Sequence, residues 1–230
     1  MGSCTSRVAD TVLACSNVKM HDNVLRFVGA CTAPPDLCLV TEKQPNSLAM
    51  LLHEGGSVPG MPQRRRIGLD ITVGLKHIHE NFGSHGSLRP LNCLVKADGS
   101  TCVGDFGFNK IKELTGGGAR ISNTPGLYSY TAPEMLRSEP ESTAADVYST
   151  GVILLELATL TKPLHDLNQM AIMGQYGFGG KALIEEIPVD CDVGFTTVIK
   201  RCLPPAANDR APLSEVIGSL RALAAKSTVT

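Results

Sequence analysis

None of the eight cysteines falls in a C-x-x-C pair, so the sequence encodes neither a zinc site nor a disulfide framework, and reduced thiols in the cytosol are the expectation. Charge of one sign is also missing: 21 Lys and Arg stand against 22 Asp and Glu, a formal net charge of −1. The two signs are interspersed, which leaves nothing to attract nucleic acid or an anionic membrane. The one basic run, Arg64-Arg65-Arg66, reads as a solvated turn. No apolar run approaches the ~20 residues needed to cross a bilayer; the longest, Gly151–Leu155, stops at Glu156, so no transmembrane segment is expected. The N-terminus has no basic-then-apolar signal pattern. Met1-Gly2-Ser3-Cys4-Thr5-Ser6 does fit the bare pattern for N-myristoylation, with Cys4 available for a second acyl chain. No repeat and no linker divides the chain, and 230 residues suffice to bury a sizeable core in one domain.

What is present begins with a weak helical stripe, Val8, Val12, Cys15 and Val18. Two β-rich runs follow, HDNVLRFVGAC and Asp36–Glu42, separated by Pro34-Pro35, and read as a hairpin. Asn46 can cap a short helix through Leu52. A longer helix is expected from Pro62 to about His79, with Ile67, Ile71, Leu75 and Ile78 on one face. Gly55–Gly60 and Gly116–Gly118 read as loops. Ala144–Thr159 is apolar enough to be a helix buried on most sides, and the last helix, ending near Lys226, carries Val216, Leu220 and Leu223 inward. The segment Gly174–Lys181 looks superficially like a phosphate loop, but Gln175 and Ala182 fall where a glycine and a hydroxyl are needed, so it is read as an ordinary loop.

The informative stretch is His85–Gly107, HGSLRPLNCLVKADGSTCVGDFG. Asp98-Gly99 between the β-prone runs Cys93–Val95 and Thr101–Val103 signals a hairpin, because glycine takes the positive φ of a tight turn. Such a hairpin carries Asn92 and Asp105 to one edge, where two hard oxygen ligands can share a divalent cation. His85, Leu88 and Asn92 then fall at the spacing of H-R-D-L-x-x-x-N, followed by an intact Asp105-Phe106-Gly107. Gly86 replaces the Arg of that pattern and Ser87 replaces its Asp. A serine hydroxyl is a poor base at neutral pH, and general-base help is worth roughly 10²–10⁴-fold in rate.

These residues, together with FVGACTAPPDLCLVTE, SHGSLRPLNCLV, YTAPEML and AADVYSTGVILLE, resemble a protein kinase domain of tyrosine-kinase-like type, and most closely the kinase-homology domain of membrane receptor guanylyl cyclases. The resemblance implies an α+β, two-lobed fold over residues 8–223. A truncated small N-terminal lobe would occupy 8–44 and a mainly helical C-terminal lobe 45–223. It implies that Thr41 is the gatekeeper and Glu42-Lys43-Gln44 the hinge that pairs with adenine, and that Asn92 and Asp105 are the magnesium ligands. Arg89 takes the phosphate-contact position, Ser87 the catalytic-base position, and His85 and Phe106 places in the hydrophobic spine. Asp146 holds the catalytic-loop backbone and Glu134 pairs with Arg210.

Against ATP and Mg stand the departures. No G-x-G-x-x-G occurs ahead of Asp36, no V-A-I-K-like strand exists, and Val12 stands where the helix should offer a glutamate, with Asp10 the nearest acid. The expectation is a pseudokinase that regulates or scaffolds other signalling proteins or an attached effector domain. An active Ser/Thr or Tyr kinase with its missing strands supplied, or a fragment of a receptor guanylyl cyclase, are the alternatives. Ser122, Thr124, Tyr128, Ser129 and Tyr130 are candidate phosphosites, and the uncovered edge of the two-stranded lobe is expected to self-associate.

Overall fold

The computed structural model describes residues 4–31, 38–55, 58–108, 111, 126–189 and 191–226. A helix, α1 (Cys4–Ser16), precedes the antiparallel pair β1 (Phe27–Cys31) and β2 (Cys38–Thr41), and these make up the small lobe. A three-stranded antiparallel sheet of order β3-β4-β5 then joins Asn46–Ser47, Cys93–Val95 and Thr101–Val103. The helices of the large lobe are α2 (Leu48–His53), α3 (Met61–Asn81), α4 (Pro133–Leu136), α5 (Thr143–Thr159), α6 (Gln169–Ile172), α7 (Val193–Cys202) and α8 (Leu213–Lys226). The architecture is the expected α+β one, a two-lobed kinase-like fold with few strands in the N-terminal lobe and a helical C-terminal lobe.

The core lies between α3, α5, α7 and α8. Ile67, Ile71, Leu75 and Ile78 of α3 are buried as their spacing requires, and every residue of α5 from Ala145 to Leu157 is buried. Phe195 of α7 and Leu220 of α8 fill the space against them. Ser142 starts α5 by accepting the Ala145 amide through its hydroxyl at 3.1 Å. The hairpin at Asp98-Gly99 forms as read, with Gly99 at φ +82° and the Lys96 amide donating to the Ser100 carbonyl at 2.9 Å.

Three local readings change. Ser47, not Asn46, caps α2, its hydroxyl accepting the Met50 amide at 3.2 Å, because Asn46 pairs with Val95 in the sheet. The basic run is no solvated turn but the second turn of α3. Arg64 donates to the Pro59, Leu157 and Ala158 carbonyls, and Arg65 meets Asp192 at 2.8 Å. Arg66 remains largely exposed while donating to the buried Asp70 at 2.9 Å. Met173–Phe178 is a π-helical turn continuing α6 rather than a loop. Gly116–Gly118 and Pro34-Pro35 lie outside the described residues.

The lobes are joined by the strap Asn23–Leu25, which pairs in parallel with β5 through Val24 and Val103. Leu25 donates to the Val103 carbonyl at 2.8 Å, Val103 donates to the Asn23 carbonyl at 2.9 Å, and the Asn23 side chain donates to the Thr101 carbonyl at 2.8 Å. The Asn23 carbonyl sits so close to α3 that a Cβ on Gly74 would lie 2.0 Å from it. The rings of His21 and His77 stack beside this crossing at 4.6 Å.

Candidate functional site

The site is built on the turn between α3 and β4 and on the residues that leave β5. Asp146, buried near the start of α5, accepts the His85 amide at 2.8 Å, the Gly86 amide at 2.9 Å and the His79 ring at 2.8 Å. One carboxylate thereby fixes the backbone on which Ser87 sits, with charge-assisted bonds of the stronger kind. His85 is buried, and its Nε2 lies 2.8 Å from the Gly104 carbonyl. Burial holds this imidazole below the ordinary histidine range, against the pull of Asp146 and the Gly104 carbonyl.

Asn92 is 6 % exposed; its side-chain N–H donates to the Ser87 carbonyl at 2.9 Å and its own carbonyl accepts the Gly104 amide at 2.8 Å. Asp105 follows Gly104 at φ +61°, a left-handed conformation that costs a non-glycine residue about 1–2 kcal/mol. Its carboxylate is exposed at the mouth of the cleft. Phe106 turns inward, edge-on to Phe82 at 5.4 Å, with its carbonyl 3.8 Å from the Cys15 Sγ of α1.

Arg89 lies beside these groups with Nε and Nη1 buried and no hydrogen-bond partner for either. Burial lowers its basicity while the nearby Asp105 and Tyr130 raise it. A guanidinium edge withdrawn from water without a partner is an anion receptor in its chemistry.

The structure brings Ser87, Arg89, Asn92 and Asp105 together at the floor of the cleft. Of the residues at the expected hinge, Thr41 lines the cavity beside Asp105, Glu42 and Gln44 line a second cavity with His21 and Lys96, Lys43 lines neither, and the Glu42 amide donates to the Arg26 carbonyl at 3.0 Å. The cavity beside Thr41 and Asp105 measures about 160 Å³ and is lined also by Leu25, Phe27, Leu39 and Phe106; the second, which shares Leu25, Phe27 and Phe106 with it, measures about 770 Å³, within the roughly 300–1,000 Å³ of ligand pockets. No cluster of three or more His, Cys, Asp or Glu able to hold a metal occurs among the described residues. Asp10 is exposed on α1, away from the cavity that Cys15 of the same helix lines.

Beside Ser87, a Cβ on Gly86 would lie 2.5 Å from the Glu141 Oε1, so Glu141 fills the space an arginine there would need. Arg210 and Glu134 form the expected pair, two-pronged at 2.6 and 2.7 Å. Tyr128 and Ser129 are buried and the Tyr130 hydroxyl is bonded to Glu156 at 2.6 Å, which closes these three hydroxyls to modification in this conformation. Ser122 and Thr124 lie outside the described residues.

One group escaped sequence reasoning. Glu156, 1 % exposed, is held by the His53 Nε2 and the Tyr130 hydroxyl, each at 2.6 Å. Burial pushes its carboxyl above the usual range while His53 and Tyr130 pull it back. The signal was available: a glutamate ending the longest apolar run can be buried only with partners.

A backbone loop fixed by a buried aspartate, an amide side chain folded under it and an Asp-Phe-Gly turn opposite define a protein-kinase type of site. Residues 5–220 match the family described as protein tyrosine and serine/threonine kinase, and the chain belongs to that family. It is 35 % identical over 206 residues to "Probable serine/threonine-protein kinase SIS8" of Arabidopsis thaliana, an alignment covering 88 % of this chain and 20 % of that protein. Identity is 35 % over 208 residues to serine/threonine-protein kinase CTR1 of the same plant, covering 88 % and 25 %. With STY46, also from that plant, it is 32 % over 205 residues, covering 89 % and 35 %. The chain thus spans about a fifth to a third of the length of these relatives.

Proposed function

We propose that this kinase domain is a pseudokinase, acting as a regulatory or scaffolding module for other signalling proteins or an attached effector domain. The observation that carries the reading is Ser87 at the place of the catalytic base. Its backbone is fixed by Asp146 and Asn92, yet the side chain offers no carboxylate to take a hydroxyl proton. This residue is internal to the chain, so the argument is independent of what flanks the 230 residues.

ATP and Mg are weighed by the same groups. Asp105 and the Oδ1 of Asn92 are hard oxygen donors that would hold Mg together with nucleotide phosphates, and Arg89 would face those phosphates with its buried guanidinium edge. Bound magnesium would neutralise charge on the phosphates. Thr41, Glu42, Lys43 and Gln44 would meet the adenine. Cavity volume does not decide the affinity, since about 770 Å³ adjoins the 160 Å³ beside Asp105; the reading of weak binding rests on the lack of a glycine loop or third-strand lysine in these residues.

The test is incubation with labelled ATP, Mg²⁺ or Mn²⁺ and generic protein substrates. No transfer is expected. Turnover that disappears in Asn92→Ala would overturn the reading. A thermal-shift titration with Mg-ATP is expected to show no stabilisation, where ligand at 100 times its Kd would add about 2.7 kcal/mol.

Intact Asp105 and Asn92, with relatives named as serine/threonine kinases, favour a second reading, an active kinase that takes its missing parts from elsewhere. It predicts transfer once those parts are present. The likeness of FVGACTAPPDLCLVTE to receptor guanylyl cyclases supports a third, in which the effector is a cyclase. Sequencing the transcript on both sides of these residues separates it from the others. A cytosolic setting, with reduced thiols, suits all three.

A further inference from the structure

Cys31 closes β1 and Cys38 opens β2, and the antiparallel register sets the two residues directly opposite each other. Opposed residues of an antiparallel pair have Cα atoms about 4.5–5.5 Å apart and side chains on one face. That separation lies within the ~4.4–6.8 Å a disulfide spans. The face follows from the register. Leu39 and Thr41 line the cavity with Phe106, so Cys38 and Val40, one residue out of step, point the other way, where Val40 is 47 % exposed. Both residues are thiols in the structure, Cys38 exposed and Cys31 half-buried.

We propose that Cys31 and Cys38 are a redox-modification site, a dithiol that closes reversibly to a disulfide across the hairpin of the small lobe. Among the described residues no other cysteines share the arrangement. Cys93 stands opposite Val103, and Cys102 opposite Leu94. Cys15, Cys93, Cys102 and Cys202 are all buried, and burial pushes the Cys102 thiol up to about 11 and that of Cys202 to about 12, away from the reactive thiolate.

The oxidant is a low-molecular-weight disulfide such as oxidised glutathione. The thiolate of the more exposed Cys38 attacks one of its sulfurs and expels one glutathione thiolate. Cys31, its proton given to solvent, then attacks Cys38 Sγ and expels the second. Two S–H bonds are lost and one S–S bond forms in the protein, while two electrons and two protons convert the oxidant to two reduced glutathiones. The closed form ties β1 to β2 at the end away from the Glu42 turn and so fixes one wall of the cavity at Leu39 and Thr41. This inference is independent of whether the domain transfers phosphate.

The experiment treats the native full chain with oxidised glutathione, blocks remaining thiols with N-ethylmaleimide and digests with trypsin. No Lys or Arg lies between Phe27 and Thr41, so cleavage after Arg26 and Lys43 leaves both cysteines in one peptide. The expected product is that peptide two hydrogens lighter, unblocked by maleimide and restored by dithiothreitol. Amide exchange in β1 and β2 should slow about tenfold or more on closure of so short a loop. Cys38→Ser and Cys31→Ser should each leave a single thiol that carries glutathione or maleimide. Separate glutathionylation of the two thiols in the unsubstituted chain, covalent dimers on a non-reducing gel, or no oxidation of the native pair would each overturn the proposal.

Discussion

Replacing Arg210 tests the energetics of the large lobe most directly. All five N–H donors of its guanidinium are engaged. Two go to the Glu134 carboxylate at 2.6 and 2.7 Å, and one each to the carbonyls of Pro204, Ala144 and Pro205 at 2.9 Å. The group also lies over the Tyr148 ring at 5.0 Å, and the pair is buried, with side chains 1 % and 8 % exposed. Arg210→Met strands a buried carboxylate and three carbonyls, so the loss should reach about 3–5 kcal/mol. At roughly 2–4 °C per kcal/mol for a chain of this size, the melting temperature should fall by about 6–20 °C. Glu134→Gln should cost less, since Arg210 keeps its three carbonyls and the ring. Arg210→Lys should recover little, because a point charge with three donors cannot serve five acceptors.

Urea unfolding followed by far-ultraviolet circular dichroism reads the difference as a lower midpoint at constant slope. Lys76→Met is the control. Its partner Glu80 is exposed, with the two side chains 43 % and 57 % accessible, and an exposed pair is worth about 0–1 kcal/mol. An Arg210→Met loss no larger than that of Lys76→Met would refute the reasoning.

Three further outcomes are expected. Burial, and then the stacked His77, hold His21 below the ordinary imidazole value. The unfolded chain therefore binds the proton more readily, and this contribution to stability, complete above about pH 6.5, is lost as pH falls toward the folded value. Urea midpoints between pH 7 and 5 should accordingly decline less steeply in His21→Gln, and equal slopes would count against the effect. Gly74→Ala should push the Asn23 carbonyl off α3 at a cost of about 1–3 kcal/mol, seen as faster amide exchange at Leu25 and Val103. Asp146→Asn should remove charge-assisted bonds worth about 1.5–3 kcal/mol each in favourable cases, loosening the His85 and Gly86 amides in the same assay.

The hairpin of β4 and β5, the faces of α3 and α8 and the burial of α5 were legible because local chemistry decides them: a glycine turn and helical spacing of apolar residues. Asp146, Glu134 and Arg210 were legible only through the family resemblance, since no spacing within the chain says that residues 76 apart will meet. The fates of Arg64 and Arg65 were not legible, because their partners are carbonyls at a helix end and an aspartate brought in by α5 and α7. Tertiary packing also moved the cap of α2 from Asn46 to Ser47, once Asn46 was claimed by a strand. At the site, Ser87 and Asp105 stood out from the pattern alone, whereas the bond made by the Glu42 amide depends on the path of Arg26.

A lone β-ribbon in water is marginal, yet here β1 and β2 need not survive by themselves. The strap at Val24 splices the ribbon's entry into the ladder of β5, and the bond from Glu42 to Arg26 ties down its exit. The ribbon thus behaves as a flap hemmed along one side of the helical body. Prying the two lobes apart would have to tear main-chain bonds, which makes this joint a seam and denies it the freedom of a swivel.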